Sequence, residues 1–245
     1  MKSDLRTEIM PNSITLKIAD LIIETEYENK KIADLCRDYA VCGMKPDIKV
    51  FYDREKCEEE ATASGFGAAA AEFSCIYRQI AEVLPYYSRA VMHGAVVSYK
   101  GKAYMFIAKS GTGKTTHINL WRKFFGGVKV INGDKPIIAA NSDGIIAYGT
   151  PWAGKEGLQK NESAPLCGIC RIVRGKENNI RRLDTNTAFK AILRQIFLPK
   201  SEESLNLTMN VIDDIMKHVP FYELTCDISR EAAECSFSAL TGETV

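Results

Sequence analysis

Apolar positions recur along the chain with two periods. Residues 14–18 and 21–26 are short, β-branched and partly alternating, with Ala19-Asp20 between them, a pattern that predicts a hairpin. Residues 48–52 predict a third strand, and the acidic run at 58–60 reads as a solvated face or loop. Over 68–84 the spacing changes to three and four residues, with Phe73, Ile76, Ile80 and Leu84 on one face of a predicted helix that Pro85 breaks.

Beyond Tyr87 the pattern becomes that of buried strands. Residues 90–97 read as one strand, Gly101-Lys102 as a turn, and 103–108 as an apolar strand running into a glycine-rich loop. A helix is expected from Gly113 or Lys114 to about Phe125, with Ile118, Trp121 and Phe125 packing on a sheet. A strand at 128–132 follows, then a hairpin of 136–140 and 145–148 around Asn141-Ser142-Asp143-Gly144. Residues 166–173 and 180–183 suggest a strand pair around 175–179. Helices at 187–197 and 202–217, a strand at 221–225 and a helix from Arg230 complete the chain. This order predicts an α/β fold: a mixed β-sheet flanked by helices with a P-loop at the carboxyl end of a strand. It divides into an amino-terminal appendage, 1–87, that covers one side or recognises an acceptor, and a core, 88–245.

With 245 residues, 46% of them hydrophobic, the chain buries a substantial core. Its 32 basic and 31 acidic residues nearly cancel, which argues against nucleic acid or an anionic membrane as main partner and makes anion recognition local. Asp4, Arg6 and Glu8 precede any apolar run, and no stretch approaches a spanning helix, so a soluble cytoplasmic protein is expected. The eight cysteines are then expected as reduced thiols. Cys167-Gly168-Ile169-Cys170 has redox or zinc spacing but lacks a second pair; it reads as core, with the two sulfurs on opposite faces of a strand.

The chemistry concentrates in Ala108-Lys109-Ser110-Gly111-Thr112-Gly113-Lys114-Thr115-Thr116. Glycines let a backbone wrap an anion, so that N–H groups and a helix amino terminus point at phosphates. In such a loop Lys114 reaches the β- and γ-phosphates of ATP and Thr115 offers its hydroxyl to magnesium. Asp134, at the end of the next apolar strand, is positioned to reach the metal or take a proton from a hydroxyl. His93, His117 and His218 read on spacing alone as satisfied structural residues. The segment 149–157, Gly-Thr-Pro-Trp-Ala-Gly-Lys-Glu-Gly, reads as a mobile active-site loop whose glycines give freedom and whose Lys155 supplies charge, with Glu156 beside it.

Taken together, Met92-His93-Gly94-Ala95, Ser110-Gly111-Thr112-Gly113-Lys114-Thr115-Thr116 and Asn132-Gly133-Asp134 resemble, in order and approximate spacing, the HPr kinase and phosphoenolpyruvate carboxykinase superfamily. The resemblance covers roughly 91–157. It implies that Lys114 and Thr115 contact phosphate and magnesium, that His93 approaches the metal and the phosphoryl group, and that Asp134 holds metal or activates the acceptor. Where those families commonly have consecutive aspartates, Lys135 and Pro136 follow Asp134 here. The length is that of an HPr kinase-like relative rather than a carboxykinase.

The expectation is therefore a magnesium-dependent kinase moving the γ-phosphoryl group of ATP to a serine-like hydroxyl on a peptide, small protein or small molecule, with self-association left open. The competing expectation is a nucleotide-binding regulatory or scaffold protein without kinase activity.

Overall fold

A computed structural model describes residues 11–244. Asp4, Arg6 and Glu8, on which the expectation of a soluble cytoplasmic protein partly rests, lie outside them. The chain divides into two compact units, one up to Ile80 and one from Ala81. Among the described residues no helix is long and apolar enough to cross a membrane.

In the first unit, β1 (Asn12–Ile18) and β2 (Leu21–Tyr27) form the expected hairpin. Ala19 and Asp20 turn it with φ of 50° and 61°, the left-handed geometry that matches strand twist. After the short α1 (Lys31–Leu35), β3 (Ile48–Val50) joins β2 in parallel. Of the two expectations for the acidic run at 58–60 the solvated face holds: it lies on a helix, α2 (Arg54–Ser64), with Glu58 and Glu59 exposed. Asp53 caps that helix by accepting from the Lys56 N–H at 3.1 Å, and Gly65 ends it in the left-handed region at φ 69°. The helix α3 (Ala68–Val83) follows, and a 3-10 turn, Leu84–Tyr87, takes Pro85 in its first positions.

The second unit is a curled mixed sheet of nine strands flanked by helices. In chain order it comprises β4 (Arg89–Val91), β5 (Ala95–Tyr99), β6 (Lys102–Ile107), α4 (Lys114–Phe124), β7 (Lys129–Asn132), β8 (Ile137–Asn141), β9 (Gly144–Tyr148) and β10 (Ser163–Arg174). Then come β11 (Asn179–Arg182), α5 (Thr185–Leu193), α6 (Glu202–His218), β12 (Phe221–Cys226) and α7 (Arg230–Thr241). Strand β10 makes the curl: its first residues pair antiparallel with β9, and its later residues lie parallel to both β6 and β12.

Alternation along β6 explains why its sequence is apolar throughout. Ala103, Met105 and Ile107 face one core with Ile192, Ile212 and Ile215 of α5 and α6, while Tyr104 and Phe106 face another with Ile118, Trp121 and Phe237 of α4 and α7. In that second core His117 is buried, packs against the Phe106 ring at 4.8 Å with the two planes tilted by 60°, and meets Ser236 at 2.8 Å. Ser236 Oγ donates to the Ala233 carbonyl and accepts from Trp121 Nε1, so His117 contributes its Nε2–H and is a structural residue, as expected.

Three expectations fail here. Residues 90–97 are two strands, since β4 pairs with β8 whereas β5 pairs with β6 and β7. Strands β10 and β11 do not pair with each other, because β12 lies between them. The two cysteines are not on opposite faces: a bulge between Leu166 and Gly168 removes one step of alternation, so Cys167 packs against the same core that buries Cys170.

Candidate functional site

The glycine loop begins where β6 ends and closes on α4. Thr112 N–H donates to the Lys109 carbonyl at 3.1 Å, and His117 N–H to the Gly113 carbonyl at 2.9 Å, leaving the first-turn N–H groups of α4 without helical partners. Gly111 and Gly113 have φ of 76° and 120°. An added Cβ would meet nothing within 4 Å at Gly111 and only Thr116 at 3.9 Å at Gly113, so the backbone conformation, not crowding, requires glycine. Arg174, at the end of β10, braces the loop from outside by donating to the Gly111 and Thr112 carbonyls at 2.5 and 3.0 Å.

His93 reaches the loop through the break between β4 and β5. Its N–H donates to the Gln195 carbonyl at 2.6 Å, and the Gly94 N–H to the Asp134 carbonyl at 2.8 Å. A Cβ on Gly94 would fall 2.4 Å from Met105 Cε and 2.9 Å from the Phe106 carbonyl oxygen, so only glycine lets the chain cross this close to β6.

Asp134 is held by a turn that Asn132 organises. The fully buried Asn132 accepts from the N–H groups of Asp134 and Lys135, each at 2.8 Å, and donates to the Thr150 carbonyl and hydroxyl at 3.0 and 3.1 Å. Thr150 in turn donates to the Lys135 carbonyl at 2.7 Å.

These parts meet. Lys114 Nζ lies 3.1 Å from His93 Nε2 and 3.4 Å from the Ala108 carbonyl. His93 Nε2 lies 3.3 Å from Asp134 Oδ1, and Lys135 Nζ lies 2.5 Å from Asp134 Oδ2. Burial lowers the Lys114 pKa, and nearby Lys135 lowers it further, against a raising effect from Asp134. Burial alone would raise the Asp134 carboxyl, but hydrogen bonds and charge from His93 and Lys135 outweigh it and hold the group below the usual carboxylate range.

A cleft of about 320 Å³ brings together His93, Ser110, Gly111, Gly113, Lys114, Thr115, Thr116, Asp134, Lys155 and Glu156. Thr112 is turned away and lines neighbouring concavities instead. No family model matches the chain, and no curated protein matches it. Among solved structures it is similar to the HPr(Ser) kinase/phosphatase from Coxiella burnetii, at 11% identity over 52% of this chain and 91% of that one, with a TM-score of 0.29. The likeness is distant and structural.

The segment 149–157 differs from a free loop. Thr150, Trp152 and Ala153 are buried, and backbone bonds join Lys135 N–H to the Trp152 carbonyl at 3.2 Å and Gly133 N–H to the Leu158 carbonyl at 2.8 Å. Gly149 is no hinge: a Cβ there would lie 1.8 Å from the Lys160 carbonyl oxygen. Only the tip from Gly154 to Gly157 is exposed, a turn with both glycines left-handed at φ 72° and 61° and the Gly157 N–H donating to the Gly154 carbonyl at 3.3 Å. Gly154 lies against Asp134, whose Cβ would be 3.1 Å from an added methyl.

Sequence reasoning missed Thr150, Arg174 and the Lys135 ion pair. Arg174 closes an apolar run at a strand end, a weak signal; Thr150 carries none, because its partner lies 18 residues away. Among the described residues no cluster of three or more His, Cys, Asp or Glu side chains is arranged to hold a metal. The cleft still fits magnesium bound together with a nucleotide, which takes one or two protein oxygens and completes its shell with water and phosphate. The Thr115 hydroxyl and the Asp134 carboxylate, which would supply those oxygens, line the same cleft.

Proposed function

We propose that the loop from Ala108 to Thr115 is a P-loop and that the protein is a magnesium-dependent kinase, transferring the γ-phosphoryl group of ATP to a hydroxyl of a peptide, small protein or small molecule. The observation that carries this reading is the chain of contacts from Lys114 through His93 to Asp134 beside the glycine loop. A buried cation next to unpartnered N–H groups suits an anionic phosphate. An ionised carboxylate at the far end of the same chain suits the hydroxyl that attacks it.

In this reading the hydroxyl oxygen bonds to the γ-phosphorus, the bridging bond to the β-phosphate breaks, and ADP leaves with the electron pair. The hydroxyl proton passes to Asp134. A carboxylate held below its usual pKa is a weak base, so it serves by orienting the hydroxyl and accepting the proton late, as a loose transition state permits. Lys114 stabilises charge on the β- and γ-phosphates, and His93, whose single Nε2 faces both neighbours, holds one of them at a time, donating to Asp134 or accepting from Lys114 according to its tautomer. Magnesium, held by Thr115 and Asp134 with His93 close by, would neutralise the phosphate oxygens when bound. Lys155 adds charge from the exposed tip.

One observation favours the second reading, a nucleotide-binding regulatory or scaffold protein: both Asp134 oxygens already have partners, His93 and Lys135. Incubation with γ-labelled ATP, magnesium and a cell extract separates the two. Label on an acceptor supports the kinase, and Asp134→Asn is then expected to keep nucleotide binding and lose transfer. Saturable binding without transfer or hydrolysis supports the scaffold.

A further inference from the structure

A groove of about 790 Å³ lies where β10 outruns β6: their pairing ends at Arg171 and Ile107, and residues 172–174 continue beside the first half of the glycine loop. We propose that this groove docks the acceptor, as an extended acidic peptide segment whose hydroxyl-bearing residue passes over Ser110 and Gly111 into the cleft of Asp134. This rests on the kinase reading above.

Continuity supports the acceptor role. Ser110 and Gly111 line both the groove and the cleft, so one ligand can occupy the first and present a hydroxyl in the second. The end of α5 walls the groove, and there the Gln195 carbonyl accepts the His93 N–H at 2.6 Å, which ties the wall to the scaffold of the cleft.

Charge selects an acidic ligand. Lys109, Arg171, Arg174 and Arg194 line the groove, and among the described residues no acidic side chain does. Glu223 on the neighbouring strand offsets part of this charge, since it pairs with Arg171 and, at 2.7 Å, with Arg181. Arg174 donates to uncharged loop carbonyls, so its charge stands, as do those of the exposed Lys109 and Arg194.

Two buried atoms favour a peptide over a simple carboxylate. Arg171 Nε and Gln195 Oε1 have no hydrogen-bond partner, and both residues line the groove. The first is a donor and the second an acceptor. A carboxylate supplies only acceptors and leaves Gln195 unsatisfied, whereas a peptide unit brings a carbonyl and an N–H together. Val173, 36% exposed, adds an apolar surface that a peptide side chain covers.

The test measures binding of a fluorescein-labelled peptide of glycine, serine and glutamate, and of its counterpart with lysine for glutamate, by fluorescence anisotropy. Calorimetric titration with ATP and magnesium runs alongside. The wild-type protein is expected to bind the glutamate peptide at least about tenfold more tightly than the lysine peptide. Arg194→Glu, at an exposed position, removes an attraction and adds a repulsion; it is expected to weaken the glutamate peptide about tenfold and leave ATP unchanged. Lys129→Glu, the same change of charge on the edge strand β7, is expected to leave both unchanged. Equal affinities for the two peptides, equal weakening by the two variants, or displacement of the glutamate peptide by an equal concentration of free glutarate would overturn the peptide groove while leaving the P-loop reading standing. Failure of the wild-type protein to bind ATP would overturn the P-loop reading, and the acceptor role of the groove with it.

Discussion

Asn132 and Thr150 are joined by two hydrogen bonds from one buried amide, 3.0 Å to the carbonyl and 3.1 Å to the hydroxyl. The same amide's oxygen accepts the N–H groups of Asp134 and Lys135. Asn132→Ala leaves these groups unsatisfied in a buried site and is expected to destabilise the protein by about 2 to 4 kcal/mol. Urea unfolding measures this; a loss below about 0.5 kcal/mol would remove Asn132 as the organiser of the Asp134 turn.

Lys114→Ala is expected to weaken binding of ATP with magnesium by about a hundredfold or more while keeping the fold. Burial already disfavours the charged Lys114 amine, so its removal is expected to leave the melting temperature unchanged or slightly raised. Calorimetry and thermal unfolding report both quantities. Unchanged affinity in a folded variant would sink the phosphate-cradle reading.

Lys155 lies on the exposed tip, and a charge acting mainly on the transition state lowers turnover more than ground-state affinity when removed. Lys155→Ala is expected to bind ATP nearly normally and to transfer phosphate about tenfold more slowly in a single turnover. Equal rates would return the tip to an ordinary surface turn.

Stability is expected to fall with acid through His117. Burial depresses its pKa to about 4, against about 6.5 in the unfolded chain. Between those values the unfolded state binds a proton that the folded state does not, so stability present above pH 6.5 is lost as pH falls toward 4, by at most about 3 kcal/mol. His117→Asn is expected to flatten this part of the pH profile in denaturant titrations. An unaltered profile would assign the acid sensitivity elsewhere.

What sequence pattern carries is local. Glycines after an apolar strand and before an amphipathic helix locate the loop, α4 and the cluster of Lys114, Thr115 and Asp134, because each depends on neighbours in the chain. Partner choice among strands depends on distant residues, so the insertion of β12 between β10 and β11 leaves no local mark. The break at His93-Gly94 is hidden because Met92, Ala95 and Val96 are apolar on both sides of it. The charged run at 58–60 reads equally as a solvated face or a loop because α2 buries only Cys57, leaving almost no apolar stripe to detect. Segment 149–157 reads as free because its anchors are backbone groups and a side-chain pair, Asn132 and Thr150, that is 18 residues apart, which no local pattern reveals.

The break between β4 and β5 makes His93 a junction between the two halves of the curled sheet, one reached through β8 and the other through β6 and β7. Its geometry therefore exists only while both halves are folded. The amides of His93 and Gly94 should exchange hydrogen with solvent as slowly as those at the centre of β6, so that loss of the site and loss of the whole unit are one cooperative event.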